Sequence, residues 1–310
     1  MKVLISGGTG LVGRYIAEEL LAAGYKVAVG GRSAPQAGLF PHVVSFVPLS
    51  LDPAEDQSHA FDDAYFFVHA AFSHVHGRYR GGEGEDPEGF RRFNLDGTVK
   101  LFETARKGGI RRCIFLSSRA VYGDRSAGKV LTEASKPAPN TLYGEVKRDA
   151  EHALFSLTAP GFATSSLRAT GVYGDLRPNK WDDLFDDYLH GRPVPSRAGT
   201  EVHGRDLGRA VRLLLETETG RIDGEAFNLS DISTDNNEIL GHLQRATDCP
   251  HALPAPTPEG VVGAMDTSKI RALGWQSGGK ALLRQTIETL AKAMPLRHAA
   301  ISASASSRPS

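Results

Sequence analysis

Apolar residues in this chain fall into short runs that alternate with stretches of helical period, and this rhythm sets the first expectations. Lys2–Ser6 is a compact apolar run of the kind a buried parallel strand shows. After a glycine-rich turn over 7–13, Leu11, Ile16, Leu20 and Leu21 recur at helical spacing, and Gly24 marks the stop. Tyr25–Val29 reads as a second strand, completing a strand–helix–strand unit. Further strands are predicted at Val43–Leu49, Ala64–Phe72, Arg112–Ser117 and Ala163–Arg168, with helices at Phe93–Lys107 and Tyr143–Leu157. This alternation predicts an α/β fold built on a doubly wound parallel sheet. Beyond Gly174 the pattern loosens, leaving helices at Trp181–Leu189, Leu207–Thr217 and Leu282–Met294 and a short strand at Glu225–Leu229. The expected organisation is a core over 1–174, then a small C-terminal substrate lobe over 175–295 with segments near 200–230 returning to the core. A small, polar tail over 296–310 is expected to be disordered. His74–Glu88 reads as a mobile polar loop, Asp124–Asn140 has no clear period, and Pro250–Gly260 is a proline-rich loop.

Composition narrows the class without naming a function. The 310 residues carry 36 basic and 36 acidic side chains, so no charge excess points to nucleic acid or an anionic membrane. No apolar run reaches the roughly 18 residues of a membrane span. Two cysteines, Cys113 and Cys249, make no disulfide framework. A cytoplasmic protein acting on a small-molecule substrate is expected. The histidines show no metal-ligand spacing, and the acids of Trp181–Asp187 diverge around their helix, so no metal is expected.

Gly7, Gly10 and Gly13 stand between the first strand and the first helix. Glycines there let the chain turn sharply and let a pyrophosphate approach the backbone, while the helix N-terminus offers N–H groups to the phosphates. The pattern predicts a Rossmann-type dinucleotide site. The acid that would bond a ribose 2′-hydroxyl at the end of the second strand is replaced by Gly30-Gly31-Arg32. Arg32 suits a 2′-phosphate, so NADP is expected ahead of NAD, the alternative being a solvated Arg32 with NAD bound.

Tyr143 and Lys147 form a YxxxK pair and share one helix face. A free phenol titrates near ~10, and a neighbouring cation favours its phenolate, which makes Tyr143 a candidate acid/base. Ser117 and Ser118 end an apolar strand, where such sheets place ligands, and a hydroxyl there can bond an oxygen that gains charge.

With these pieces in order, the chain resembles the extended short-chain dehydrogenase/reductases, the epimerase/dehydratase family. The resemblance rests on GGTGLVG at 7–13, VHAA at 68–71, NLDGT at 94–98, SSRAVYG at 117–123, YGEVK at 143–147 and LRATGVYG at 167–174. It continues through VHGRDLGRA at 202–210, GEAFNLS at 224–230 and DTSKIRALGW at 266–275. The resemblance implies that Tyr143 moves the hydroxyl proton, Lys147 holds the nicotinamide ribose and tunes Tyr143, and Ser118 positions the reacting oxygen. It places Gly7, Thr9, Gly10, Leu11 and Val12 around the pyrophosphate, and Ala70, Ala71, Thr170 and Val172 close to the cofactor. The adenine-side acid falls at Ser50-Leu51-Asp52, shifted or lost, which leaves Leu51 at that position. Family members often pair through helices flanking the sheet, so a homodimer is expected.

Three departures bear on the reaction. Arg119 and Ala120 stand where the dehydratases carry an acidic pair, which argues against sugar 4,6-dehydration. Arg119 is expected either to meet an anionic group on the substrate or to be structural. Gly171 replaces an asparagine common among nucleotide-sugar enzymes, and GTEV at 199–202 lacks the arginine that often precedes the VHxxD motif. His69, His74 and His76 fall near the expected nicotinamide side, with His74 a candidate substrate contact. The leading expectation is therefore net oxidoreduction of a secondary alcohol or ketone. A nucleotide-sugar epimerase with no net redox change is the alternative, and a catalytically silent NAD(P)-sensing protein is a third reading.

Overall fold

The computed structural model describes residues 1–74, 84–124, 130–258 and 262–294. Its first unit is β1 (Lys2–Ser6), α1 (Leu11–Ala22) and β2 (Lys26–Gly31), followed by β3 (Ser45–Pro48) and β4 (Phe66–His69). Then come α2 (Pro87–Arg91), α3 (Gly97–Lys107), β5 (Arg112–Ser118), α4 (Leu142–Ser156), β6 (Ala163–Ala169) and β7 (Gly171–Tyr173). The rest is α5 (Asp182–Leu189), β8 (Ala198–His203), α6 (Gly204–Glu216), β9 (Glu225–Leu229), β10 (Ile232–Asp235), α7 (Asn236–Thr247), α8 (Ser268–Arg271) and α9 (Gly279–Lys292).

Seven strands make a parallel sheet in the order β3-β2-β1-β4-β5-β6-β9. The order reverses between β1 and β4, which opens a crevice at the carboxyl edge where the glycine loop lies. One face is covered by α1 and α6, which pack Ile16, Leu20, Leu207, Val211 and Leu214 against Val3, Ile5, Val29 and Val68. The other is covered by α3 and α4, through Leu101, Phe102, Ala105, Ala150 and Leu154. The doubly wound fold expected from the alternation is the fold observed.

Several boundaries differ from the pattern reading. The third strand is only Ser45–Pro48, and Val43 is 94% exposed, because the run lies at the sheet edge with one neighbour. The predicted helix Phe93–Lys107 is interrupted by a wide π-turn over Arg92–Asp96. A side chain at Gly97 would collide with the Leu51 carbonyl, so glycine there lets the start of α3 pass close to the loop that carries Leu51. Pro87 and Glu88, read as loop, begin α2, capped by Asp86. The mobile-loop expectation for 75–83, part of the aperiodic stretch (125–129), His76, residues 259–260 and the disordered tail lie outside the described residues.

The largest omission is the second sheet, β10-β8-β7, and the helix beside it. These strands are short and carry glycines and charges, so no period-two run announces them. α7 did carry a signal: Asp235 Oδ1 accepts from Glu238 N at 2.8 Å, the cap that Asp-x-x-Glu before an apolar run foretells. With α5 and α9, α7 encloses a core of Trp181, Phe185, Ile239, Leu240, Leu283 and Ile287.

One buried phenol fastens this lobe to the first helix. Tyr15 on α1 is 2% exposed, donates to Asp175 Oδ1 at 2.9 Å and accepts from Leu176 N at 3.0 Å. Beside it Arg14 donates to the Arg177 carbonyl at 2.7 Å.

Candidate active site

The expected cofactor residues assemble along one edge of the sheet. Gly7–Val12 follow β1, Arg32 follows β2, Leu51 follows β3, Ala70 and Ala71 follow β4, and Thr170 follows β6. Gly7 has φ +68°, and a Cβ on it would sit 2.7 Å from the Ala71 Cα. Only glycine meets both demands, so the loop and the Ala70–Ala71 backbone touch without a side chain between them. Helix α1 opens at Leu11 with no side-chain cap and no acid in its first turn. A bare loop leading into an uncapped helix N-terminus fits a pyrophosphate in charge and in space. Arg32 stands exposed just past β2. Asp52 is taken up by Arg92 at 2.6 Å, while Leu51 packs half-buried against the core. Thr170 is buried and bonds the Leu229 carbonyl through its N–H at 3.0 Å; Val172 is half-buried against the core under α1.

Ser118, Tyr143 and Lys147 are brought together by a close approach. Thr141 caps α4 by accepting from Gly144 N at 3.1 Å, so Tyr143 lies in the first turn. A Cβ on Gly144 would come 2.5 Å from the Ala120 carbonyl. The glycine thus lets α4 rest on the turn after β5, whose first residue is Ser118. Ser118 Oγ accepts from Ala120 N at 3.1 Å, which orients the hydroxyl and leaves its proton to donate.

Lys147 is fully enclosed. Its ammonium donates to the Leu116 carbonyl at 2.7 Å and lies 4.6 Å from the ring centres of both Phe72 and Phe115, and 5.9 Å from that of Tyr143. Burial pushes its pKa down to about 7, against the opposing pull of Glu151. Between pH 7 and the usual lysine range the unfolded chain binds the proton that the folded one has released, so stability rises with pH across that window. Lys147→Met should therefore exceed wild type in stability at pH 6. The advantage should shrink by up to roughly 2–3 kcal/mol as pH rises from 7 to 9, in urea denaturation at each pH. A constant difference would show that the buried amine does not change its protonation in this range.

Three features of the site escaped the pattern reading. Phe72 is the hub between loop and helix: its ring meets Tyr143 edge-on at 5.1 Å and Phe90 at 5.5 Å. Asn94 is buried and pins this loop, accepting from Ser73 N at 2.6 Å and donating to the Ser73 carbonyl at 2.7 Å. The NLDGT motif contained it, but its partner lies 21 residues away. Third, Glu151 stands one turn beyond Lys147 and grips Arg168 of β6 through contacts of 2.8–3.2 Å. Burial opposes the Arg168 charge, yet the hydrogen bonds and charge of Glu151 outweigh it and hold the guanidinium above its usual range. Arg168 also donates to Tyr122 Oη at 2.8 Å, and Tyr122 donates to Asn228 at 2.7 Å.

His69 corrects an expectation. It is fully buried behind the loop, not at the cleft, with Nδ1 2.6 Å from Ser6 Oγ and Nε2 2.9 Å from Thr98 Oγ1. Burial, with the Lys147 charge adding to it, lowers its pKa to about 3, so the ring is neutral and ties β1, β4 and α3 together. His74 stays on the cleft loop, its Nδ1 3.3 Å from the Phe72 carbonyl. Arg119 donates to the Gly263 carbonyl at 3.3 Å. The acids of α5 serve locally: Asp182 accepts from Asn179 N and pairs with Arg177, and Asp186 and Asp187 pair with Arg192.

The model of the NAD dependent epimerase/dehydratase family matches residues 3–230. A UDP-glucose 4-epimerase of Streptomyces lividans is 31% identical, over 78% of this chain and 82% of the relative. One of Corynebacterium glutamicum is 24% identical, over 89% and 90%. Among solved structures, a UDP-glucose 4-epimerase of Thermus thermophilus in complex with NAD superposes with TM-score 0.75 at 25% identity, covering 94% of this chain and 99% of that one. Among the described residues, no helix is long and apolar enough to cross a membrane.

Proposed function

The chain belongs to the NAD-dependent epimerase/dehydratase family and is an enzyme of the extended short-chain dehydrogenase/reductase type, and on that premise we propose that it epimerises a secondary alcohol by oxidising one carbon and reducing it again. The observation that carries this reading is the Ser118 turn seated on the first turn of α4, with Tyr143 and the enclosed Lys147 on one helix face. When bound, a nicotinamide dinucleotide would supply the hydride acceptor and donor. The glycine loop and the start of α1 would receive its pyrophosphate, and Ala70 and Ala71 would line its path. Tyr143 takes the substrate hydroxyl proton and later returns it. Lys147 lies beside the phenol and, in its protonated form, favours the phenolate that does so. Ser118 donates to the oxygen that gains charge. Nothing is consumed overall.

Net oxidoreduction, the first expectation from the sequence, uses the same groups; the epimerase relatives shift the weight to a cycle that regenerates its own cofactor. Mass spectrometry of the purified protein, followed by a substrate panel read at the nicotinamide absorbance, separates the two. The epimerase reading expects retained cofactor and no accumulation of its reduced form. Stoichiometric reduction of added cofactor would reject it.

Arg32 supports a second reading of the cofactor. Its exposed guanidinium past β2, with no acid beside the ribose position, favours NADP, whereas the Thermus relative holds NAD. If NADP is used, Arg32→Asp should weaken NADPH binding about tenfold or more while leaving NADH binding within a factor of about two, in fluorescence titration. Equal effects on both would assign Arg32 no part in the choice.

A further inference from the structure

The second sheet places an acid beside the two positions, 171 and 199, where the sequence shows only missing anchors. Ala169 of β6 pairs with Ser118 of β5, and two residues on, Gly171 of β7 pairs with Glu201 of β8. Two inter-strand steps and two residues of strand put Glu201 within about 16 Å of Ser118. Gly171, Gly199 and Glu201 share one face of this sheet. A Cβ on Gly171 would lie 2.5 Å from Glu201 Oε2, and one on Gly199 would lie 3.8 Å from Oε1. The carboxylate therefore fills the space that a side chain at 171 would take, over the exposed Gly171, with 13% of the Glu201 side chain still reaching solvent. Its cation is Lys180, whose ammonium is 2.5 Å away and lies 5.7 Å from the Trp181 ring centre.

We infer that Glu201 sets the substrate class: its carboxylate accepts hydrogen bonds from hydroxyl or amino groups of a substrate that carries no diphosphate. This rests on reading the Ser118–Tyr143–Lys147 cleft as the catalytic centre. A diphosphate brought onto this face would meet an anion, and the cation beside that anion is already neutralised by it. Neither glycine has a side chain to supply a donor in compensation. A polyhydroxylated or amino-bearing alcohol meets an acceptor that can be shared between Lys180 and the ligand.

The test is a calorimetric titration of the cofactor-loaded protein with UDP. Wild type should bind UDP only in the millimolar range, and Glu201→Gln, which keeps the shape, should bind it at least about tenfold more tightly. Glu201→Ala, which opens the space, should do the same, so a folding defect in one variant leaves the other to read. Micromolar binding of UDP by wild type overturns the inference, and so does an affinity that stays the same in both variants, whether tight or weak. Binding of UDP does not require turnover, so a failed catalytic assignment at Tyr143 would show separately, as activity surviving Tyr143→Phe.

Discussion

Replacing Tyr143 with phenylalanine should lower turnover by about 10²–10⁴-fold and change cofactor affinity little. The ring keeps its edge-on contact with Phe72, because that contact uses carbon atoms and not the hydroxyl. Lys147 keeps the Leu116 carbonyl and both phenylalanine faces, so the pocket wall survives. What disappears is the hydroxyl proposed to take and return the substrate proton. Turnover with any substrate that wild type accepts, together with a cofactor titration, reads the two effects apart. Retained turnover would remove Tyr143 from the chemistry. Absence of turnover in wild type across a broad panel, with cofactor still bound, would favour the silent sensing protein.

A second large effect is expected in stability. Arg168→Met should destabilise the fold by about 3–5 kcal/mol, because it leaves Glu151, whose side chain is 1% exposed, charged and without its cation. The loss extends to Tyr122, which accepts from Arg168 while donating to Asn228. Chemical denaturation should show the midpoint falling with an unchanged slope. The double variant Arg168→Met/Glu151→Leu should recover most of the loss, since replacing both members of a buried pair removes the uncompensated charge. A double variant as unstable as the single one would place the stabilisation elsewhere, in the hydroxyl of Tyr122 or in that of Ser166, which donates to Glu151 Oε1 at 2.7 Å.

What the sequence disclosed and what it hid divide along a physical line. The β1–α1–β2 unit was legible because its strands are buried on both faces and its helix has one apolar stripe, so burial is written in period and run length. The shared face of Tyr143 and Lys147 was legible from helical spacing, and their candidacy for the site came from the strand-end serines and the ordered motifs of the family resemblance. Ser118 was legible because it ends an apolar strand. Phe72 and Glu151 were not, because their partners lie on other elements and no local pattern encodes a meeting between the loop after β4 and α4 or between α4 and β6. Glu201 was hidden for a further reason. β8 sets Gly199 and Glu201 among its six residues and its partner β7 has only three, so neither shows a period, and GTEV could be read only for the arginine it lacks. His69 misled because an isolated histidine near a cleft looks the same in sequence whether it faces a ligand or bridges two hydroxyls behind one.

The Tyr15 clamp bears on the order in which ligands act. A single phenol on α1 holds Asp175 and Leu176, and Arg14 beside it holds Arg177. The helix whose first turn faces the phosphate loop is thus fastened to the stretch that leads into the lobe. A ligand that displaces the 175–177 turn does work on α1, and a ligand that settles α1 does equal work on the turn. Linkage makes this exchange symmetric: by whatever factor a bound dinucleotide strengthens the grip on substrate, substrate strengthens the grip on the dinucleotide. For the epimerase proposed above, which would have to keep an oxidised intermediate and its cofactor through a full cycle, that reciprocity would make one tyrosine a means of retaining both.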